Sequence, residues 1–303
     1  MANYITIDGG TTNTRLSLVI NGQPVDRVKC SVGARNGRDC LERAVREGIA
    51  ALLENNSMSC SDITAVIASG MITSELGLVA LEHTVAPAGV NELKQTMYLT
   101  EMPNICDVPF AFIRGIKTGA DGLEDADMMR GEETEIMGLF NGEGVYVLPG
   151  SHSKAVTVDG EGKIIAFSTF MTGEMIAAIT EKTILKDAID LSCDTDAEYL
   201  KKGYAYAHER GLNEALFKVR VLKNLFGADK CRVYSFFMGA VLSGELDRLI
   251  GMGAGRYVIC GKRQLREPTA RLLACHSDAE VIAVTDEQAE QATCRGAVRI
   301  FEY

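Results

Sequence analysis

Two adjacent glycines interrupt an alternating apolar pattern near the start of the chain. The pattern runs through residues 4–7 and resumes at residues 16–18, which predicts two strands joined by a turn. Gly9 and Gly10 accept the positive φ angles of a tight turn, so successive backbone N–H groups can point out of it. Hydroxyl groups follow at three positions: Thr11, Thr12 and Thr14. A turn lined with so many hydrogen-bond donors can hold phosphate oxygens.

Asp8 is the last residue before this turn and lies at its mouth. Its carboxylate would repel a phosphate group unless Mg²⁺ lay between them, since Mg²⁺ binds carboxylate and phosphate oxygens together. The residues therefore predict a nucleotide–metal site, and an ordinary β-hairpin with a polar tip is the alternative. The turn is not a Walker loop, because no GxxxxGK[ST] occurs in the sequence.

A second strand, glycine turn and strand follow near the middle of the chain. Residues 144–148 are mostly apolar, residues 150–153 form a polar turn, and residues 154–158 return as a strand. A nucleotide clamped between two domains needs one such turn from each. At 303 residues the chain has the length of two domains, which we place at residues 1–142 and 143–303. We expect the last helix, 288–300, to pack back on the first domain.

Composition excludes several classes of protein. The formal net charge of -10 opposes sequence-independent binding to nucleic acid, whose phosphates need a basic face. No apolar run reaches the roughly 18 residues of a membrane helix, and no secretion signal is visible. The cysteines are scattered and never spaced as CxxC, which favours reduced thiols in a cytoplasm over disulfides or a zinc site.

Local patterns predict how the first domain continues. Apolar residues recur at helical spacing through 38–53, and residues 65–68 form an apolar run typical of a buried parallel strand. Small polar residues follow at 69–74, where open α/β sheets place ligands. A hairpin, a helix and a buried strand in this order resemble the half-domain of the actin-like ATPase superfamily. The resemblance implies an α/β fold of two actin-like (ribonuclease H-like) domains, with mixed five-stranded sheets flanked by helices and an active-site cleft between them.

Four sequence blocks narrow the resemblance: residues 8–15, 129–134, 148–154 and 170–174. Together they resemble, in order and nearly from end to end, the 2-dehydro-3-deoxygalactonokinase family. That family usually has Trp after the first Asp and after the Lys of the second turn, where this chain has Gly9 and Ala155. The resemblance implies that ATP, with Mg²⁺, phosphorylates the terminal (C6) hydroxyl of a small sugar acid, 2-dehydro-3-deoxy-D-galactonate. It implies no nucleic-acid or membrane partner, and it is compatible with a homodimer.

The chemistry implied by the resemblance needs a metal ligand, phosphate contacts and a base. Asp8 is the predicted Mg²⁺ ligand, acting through water. The predicted phosphate contacts are Gly9, Gly10, Thr11, Thr12, Gly150, Ser151, Ser153 and Lys154, of which Lys154 would neutralise charge. Glu132 or Glu133 is the predicted base, because both open a helix just before the second turn. Two acids at a helix start are otherwise surface residues that stabilise the helix dipole, and the sequence does not choose between the pair.

The resemblance also suggests where the sugar acid and the adenosine bind. Arg130 is the predicted partner of the substrate carboxylate, since a guanidinium can bind it through two parallel hydrogen bonds. A surface ion pair with Asp127 is the alternative. The other predicted substrate-binding residues are Ser69, Gly70, Met71, His152, Thr172 and Glu174. The predicted adenosine contacts are Gly239, Gly261 and Lys262, and helix packing is the alternative for Gly239.

Two other functions fit the same residues. One is a kinase that phosphorylates another sugar or sugar acid. The other is a non-catalytic actin-like protein that senses nucleotide or sugar. Turnover separates both kinases from the sensor, and the preferred acceptor separates one kinase from the other.

Overall fold

Strands and helices follow one another along the whole chain. The computed structural model describes residues 2–119 and 121–303. The strands are β1 (Asn3–Gly9), β2 (Thr14–Ile20), β3 (Gln23–Cys30), β4 (Ala65–Gly70), β5 (Thr84–Val85), β6 (Tyr98–Met102), β7 (Cys106–Phe112), β8 (Ile116–Lys117), β9 (Met128–Met129), β10 (Gly144–Leu148), β11 (Ser153–Val158), β12 (Ile164–Phe170), β13 (Arg256–Ile259) and β14 (Glu280–Ala283). The helices are α1 (Arg38–Asn55), α2 (Val90–Thr96), α3 (Glu132–Leu139), α4 (Thr172–Lys182), α5 (Ala197–Arg210), α6 (Leu212–Asn224), α7 (Lys230–Gly251), α8 (Arg263–His276) and α9 (Asp286–Glu302). Within these described residues, no helix has the length and apolar character to cross a membrane.

The chain divides into two compact units. The first contains the chain up to Glu143 together with residues 157–167 and 290–303. The second contains residues 144–156 and 168–289. The predicted domain boundary after residue 142 stays a prediction, and each unit is described here by itself.

A six-stranded sheet forms the centre of the first unit, in the order β3-β2-β1-β4-β7-β6. β1 pairs antiparallel with β2 and parallel with β4, and β4 pairs parallel with β7. The sequence predicted five strands, and this count is wrong because β6 adds an antiparallel edge strand beside β7. Three short strands, β5, β8 and β9, form a separate small sheet. The predicted mixed α/β architecture is confirmed.

Local patterns account for the first hairpins and the first helix. Ile5 and Ile7 of β1 are buried, as period-2 alternation requires of one sheet face. The turn between β2 and β3 has φ angles of 55° at Asn21 and 75° at Gly22, the positive angles of a type I′ turn. α1 turns a buried stripe at helical spacing to the same core: Leu41, Val45, Ile49 and Leu52.

The C-terminal helix α9 packs on the first unit. The rings of Tyr4 and Phe301 meet edge to face with their centroids 5.4 Å apart. The Nη1 atom of Arg299 donates to the carbonyl of Met137 at 2.9 Å. A Cβ atom added at Gly296 of α9 would lie 1.8 Å from the carbonyl oxygen of Thr134 in α3, so these two helices contact each other through their backbones. α9 therefore covers both the N-terminal strand and α3.

The second sheet has five strands, as predicted, in the order β12-β11-β10-β13-β14. β13 pairs parallel with both β10 and β14. Asp196 caps the start of α5, because its carboxylate accepts the backbone N–H groups of Glu198 and Tyr199. α7 is buried on most of its faces, so it forms the centre of the helical part of this unit.

Two glycines allow α5 and α7 to cross in backbone contact. A Cβ atom added at Gly203 would lie 2.0 Å from the carbonyl oxygen of Phe236, and one added at Gly239 would lie 2.0 Å from that of Leu200. Neither distance is compatible with a side chain, so the crossing requires glycine at both positions. Helix packing thus accounts for Gly239, which the sequence had offered as an adenosine contact.

A pair of alanine substitutions on α7 tests this packing. We expect Gly239→Ala to lower the free energy of unfolding by about 1–3 kcal/mol, because the added methyl group forces the helices apart. Gly244 is the matched control, since it is exposed on the same helix and nothing would touch its Cβ atom. Gly244→Ala should raise stability by about 0.5–1 kcal/mol through helix propensity alone. Equal effects of the two substitutions in urea unfolding would contradict the packing role.

Candidate active site

The first glycine turn is held from behind by the chain that follows β3. The N–H of Gly10 donates to the carbonyl of Asn13 at 2.9 Å and closes the turn. The carbonyl of Gly10 accepts the N–H of Ala34 at 3.0 Å, and that of Thr11 accepts the N–H of Arg35 at 3.1 Å. With these carbonyl groups engaged from behind, the exposed edge of the turn is the Thr11–Thr12 segment. A rigid, donor-rich edge of this kind suits anionic oxygens.

Asp8 forms an ion pair with Arg15 across the hairpin. The Arg15 Nη1 atom lies 2.7 Å from the Asp8 Oδ2 atom, and the two side chains are 45% and 29% exposed. Partly exposed pairs of this kind contribute only about 0–1 kcal/mol, so a ligand can displace or share either partner. The cross-strand pairing of residues 8 and 15 brings the charge of Arg15 next to Asp8.

A single carboxylate at this turn is compatible with Mg²⁺. No group of three or more His, Cys, Asp or Glu side chains that could hold a metal ion occurs within residues 2–119 and 121–303. Mg²⁺ seldom uses an all-protein cage, because it keeps several waters and binds one or two carboxylates together with substrate phosphates. Asp8, partly exposed beside a turn of N–H and hydroxyl donors, fits that mode of binding.

Three glycines bring the acidic segments of the first unit together. A Cβ atom at Gly9 would lie 2.5 Å from the Cβ atom of Ile72, and one at Gly70 would lie 2.6 Å from the carbonyl oxygen of Gly9. Gly70 and Gly131 have φ angles of +88° and +115°, which favour glycine. A Cβ atom at Gly131 would in turn lie 3.2 Å from the Cα atom of Gly70. The turn after Asp8, the end of β4 and the start of α3 therefore meet at one place.

Ser69 and Met71 flank the middle glycine of this contact. Ser69 is fully buried, and its hydroxyl oxygen has no hydrogen-bond partner among the described residues. An unsatisfied buried hydroxyl costs about 1–3 kcal/mol, which marks Ser69 as a position that a ligand or water would stabilise. Met71 is half-buried. Their predicted contacts with substrate stay predictions.

The two candidate bases have different surroundings. The Glu132 side chain is half-buried, and its Oε2 atom accepts the N–H of Arg130 at 3.0 Å. Glu133 is fully buried, and both its oxygens accept the N–H of Gly131, at 2.9 and 2.8 Å. Burial, followed by the charge of Glu132, raises the pKa of Glu133 to about 8. Of the two carboxyl groups, only that of Glu132 is accessible to a substrate.

The Arg130 guanidinium is directed at residues 73–83. Its Nη1 atom donates to the carbonyl and the hydroxyl of Thr73, both at 2.8 Å, and its Nη2 atom donates to the carbonyl of Leu81 at 3.0 Å. The Nδ1 atom of His83 lies 3.4 Å from Nη2. Burial, and then the Arg130 charge, lowers the pKa of His83, so this imidazole is neutral near pH 7. Sequence reasoning missed these partners, and the contact of Arg130 with a substrate carboxylate stays a prediction.

The second glycine turn joins β10 to β11 and rests on the first turn of α4. The N–H of Gly150 donates to the hydroxyl of Ser153 at 3.3 Å. The N–H of Gly173 donates to the carbonyl of Gly150 at 3.1 Å, and that of Glu174 to the carbonyl of Ser151 at 3.2 Å. As in the first turn, backbone carbonyl groups of the turn accept hydrogen bonds from a neighbouring segment of the chain.

Side chains around the second turn fall into an exposed and a buried group. His152 and Glu174 are both about half exposed, with Nε2 and Oε1 3.1 Å apart, so two predicted substrate-binding residues lie together. Lys154 is buried, and its ammonium donates to the hydroxyl of Thr169 at 2.8 Å. Thr172 is also buried, and its hydroxyl donates to the Oε2 atom of Glu245 at 2.5 Å. Sequence reasoning missed Glu245, because it lies in the middle of a largely apolar helix.

Of the predicted adenosine contacts, Gly261 lies beside the second turn. It has a φ angle of +84°, and a Cβ atom there would lie 2.5 Å from the carbonyl oxygen of Pro149. Lys262 follows as the exposed N-cap residue of α8. The Nη1 atom of Arg266 donates to the carbonyl of Gly261 at 2.9 Å and fixes this corner. Gly261 and Lys262 thus join the second turn, whereas Gly239 lies in the α5–α7 crossing.

The sequence matches one known family along nearly its whole length. The family model for 2-keto-3-deoxy-galactonokinase matches residues 8–300. A relative from Rhizobium meliloti (strain 1021), named as a probable 2-dehydro-3-deoxygalactonokinase, DgoK1, is 27% identical over 192 residues. That alignment covers 61% of this chain and spans 59% of the relative's length. The family match confirms the resemblance drawn from the four sequence blocks.

Solved structures share the fold. A crystal structure from Sinorhizobium meliloti with the same provisional enzyme name is 21% identical, with a TM-score of 0.77 over 99% of this chain and 96% of its own. The activator of 2-hydroxyisocaproyl-CoA dehydratase from Clostridium difficile, with bound ADPNP, is 13% identical, with a TM-score of 0.54 over 99% and 94%. Xylulose kinase from Lactobacillus acidophilus is 11% identical, with a TM-score of 0.54 over 100% and 89%. At these identities the likeness shows the fold, and the predicted actin-like fold is confirmed.

The buried carboxyl group of Glu133 predicts a pH-dependent stability. In the folded protein the Glu133 carboxyl group binds its proton more tightly than in the unfolded chain, where its pKa is about 4.5. Its contribution to stability is therefore complete below pH 4.5 and is lost as the pH rises through about 8. We expect wild type to lose about 1.4 kcal/mol per pH unit relative to Glu133→Gln across that window.

Urea unfolding at intervals from pH 5 to pH 9 measures this difference. Glu135→Gln is the matched control, because Glu135 lies in the same helical turn and is not fully buried. A stability difference between wild type and Glu133→Gln that does not change with pH would show that the Glu133 carboxyl group titrates normally.

Proposed function

The chain belongs to the 2-keto-3-deoxy-galactonokinase family, and we propose that it transfers the γ-phosphoryl group of ATP to 2-dehydro-3-deoxy-D-galactonate. The acceptor is the terminal (C6) hydroxyl, and the products are the 6-phosphate and ADP. One observation carries this proposal beyond the family match. The Gly9–Gly70–Gly131 contact brings the glycine turn that follows Asp8 close to the start of α3, where the half-buried Glu132 lies.

In the proposed reaction, Glu132 accepts the proton of the sugar hydroxyl while the oxygen of that hydroxyl forms the new bond to the γ-phosphorus. The bond from that phosphorus to the bridging oxygen of ADP breaks, and ADP leaves with the electron pair. Glu132 suits this role because its side chain is accessible and its Oε2 atom is fixed by the backbone of Arg130. Glu133, which is fully buried, would instead hold Gly131 in its left-handed conformation.

Charge neutralisation completes the proposed chemistry. Mg²⁺ bound near Asp8, through water, would offset the charge of the phosphate groups. The backbone N–H groups and hydroxyls of Thr11 and Thr12, at the exposed edge of the turn formed with Gly9 and Gly10, would contact phosphate oxygens together with the exposed part of the second turn. Arg15 would add a positive charge when a metal ion draws Asp8 away from it. His152 and Glu174 are proposed to bind sugar hydroxyls, because both side chains are about half exposed and already paired.

An acceptor panel tests the proposed reaction. ADP release is measured with 2-dehydro-3-deoxy-D-galactonate, its C4 epimer 2-dehydro-3-deoxy-D-gluconate, and neutral hexoses. We expect the highest kcat/KM with the galactonate derivative and product phosphorylated at C6. A preference for another acceptor would identify a kinase of different specificity. Nucleotide binding without turnover on any acceptor would indicate a sensor.

Substitution of the candidate base tests the mechanism. We expect Glu132→Gln to lower kcat about 10²–10⁴-fold, the usual contribution of a positioned general base, with little change in KM for ATP. Glu135→Gln, three residues along α3, is the control and should keep wild-type kcat. Steady-state assays at saturating Mg²⁺ give both constants. Full activity of Glu132→Gln together with inactivity of a folded Glu133→Gln would transfer the role of base to Glu133.

A further inference from the structure

Glu245 carries a buried carboxyl group that the proposed mechanism does not use. It lies on α7 and is only 4% exposed. Acidic side chains are almost never buried to this extent unless they are paired. The Thr172 hydroxyl donates to its Oε2 atom at 2.5 Å, and the Ser153 hydroxyl lowers the pKa of the same carboxyl group, which burial raises. The Oε1 atom has no hydrogen-bond partner within the part of the chain that the structure describes.

Both hydroxyl groups belong to the structure of the second glycine turn. Ser153 is the last residue of the turn, and its oxygen also accepts the N–H of Gly150. Thr172 is the first residue of α4, whose next two N–H groups, those of Gly173 and Glu174, hold the turn carbonyls. Glu245 therefore binds the helix against which the turn rests, and Ser153 of the turn lies beside the same carboxyl group.

The contact between α4 and the turn leaves no room for adjustment. A Cβ atom added at Gly173 would lie 2.3 Å from the carbonyl oxygen of Gly150 and 2.7 Å from the Cα atom of Ser151. Because backbone meets backbone here, a displacement of the start of α4 displaces the turn as well. The hydrogen bond between Thr172 and Glu245 joins α4, and with it the turn, to α7.

We propose that Glu245 is a positioning residue that sets the second glycine turn for the phosphate groups of the nucleotide. By receiving the hydroxyl hydrogen of Thr172, it holds the start of α4 in place, and α4 then holds the second glycine turn. The exposed residues 151 and 152 and the backbone of the turn are then left to meet the ligand. Ser153, predicted to contact phosphate, accepts the N–H of Gly150 within the turn. This inference rests on the proposed function, because it assumes that the turn binds nucleotide.

A substitution series tests the proposal through KM for ATP, the dissociation constant for ADP and thermal stability. Glu245→Gln keeps the shape of the side chain but replaces the carboxylate that accepts the Thr172 hydroxyl hydrogen with a neutral, weaker acceptor. We expect it to raise KM for ATP and the ADP dissociation constant about tenfold, a change of 1.4 kcal/mol, with KM for the sugar acid unchanged. Ser243→Ala is the control on α7, since the buried Ser243 hydroxyl bonds only within its own helix, to the carbonyl of Ala240.

Threonine variants keep the proposal testable if Glu245→Gln does not fold. Thr172→Val removes the hydroxyl without changing the volume of the side chain, and Thr172→Ser retains it. We expect Thr172→Val to weaken ADP binding about tenfold and Thr172→Ser to restore it. In the double variant the Thr172→Val change should add little to Glu245→Gln, because both act on one hydrogen bond.

The outcomes separate this inference from the proposed function. If folded Glu245→Gln and Thr172→Val keep the wild-type KM for ATP and dissociation constant for ADP, the inference alone is overturned. A lower melting temperature with both constants unchanged would overturn it as well. A wild-type protein that binds ADP but phosphorylates no sugar acid would overturn the proposed function, and ADP binding by the variants would still decide the role of Glu245. No binding of ATP or ADP by wild type would overturn both.

Discussion

Contact between glycine backbones at the end of β1 determines where the functional groups of the first unit lie. Gly9, Gly70 and Gly131 come from three separate stretches of chain. Gly9 and Gly70 lie too close to their neighbours for a side chain, and Gly131 has a φ angle of +115°, which favours glycine. Asp8 precedes the first of these glycines, and Glu132 follows the last. These contacts therefore set the backbone positions from which both acidic side chains extend. The second unit uses the same device where Gly173 and Gly261 meet the turn at residues 149–151.

In each unit a buried carboxyl group accepts hydrogen bonds from residues next to the candidate site residues. Glu133 accepts the N–H of the glycine that opens α3, and Glu245 accepts the hydroxyl hydrogen of Thr172 beside the second turn. Burial raises the pKa of both groups, while the hydrogen bonds that they accept lower it. Hydrogen-bonded networks of this kind specify one arrangement of the backbone, since an alternative arrangement leaves polar groups buried without partners.

The parts of the fold that short-range patterns determine could be predicted from the sequence. The Asn21–Gly22 turn, the apolar stripe of α1 and the Asp196 cap each depend on a few neighbouring residues. The sixth strand could not be predicted, because it depends on the pairing of β6 with β7 at a sheet edge. The same limit applied to the site. Residues that share a motif were found. Thr73 and His83 contact Arg130 of the first unit, and Glu245 contacts Thr172 of the second, through tertiary contacts that no motif contains.

The packing of α9 on β1 and α3 has a consequence for biosynthesis. Residues 290–303 belong to the same compact unit as the N-terminal strand, although the whole of the second unit lies between them in the chain. A ribosome therefore releases nearly all of the first unit before it makes the helix that covers Tyr4 and Met137. Until α9 has been translated, the surface of the first unit that α9 covers is accessible to solvent or to a chaperone.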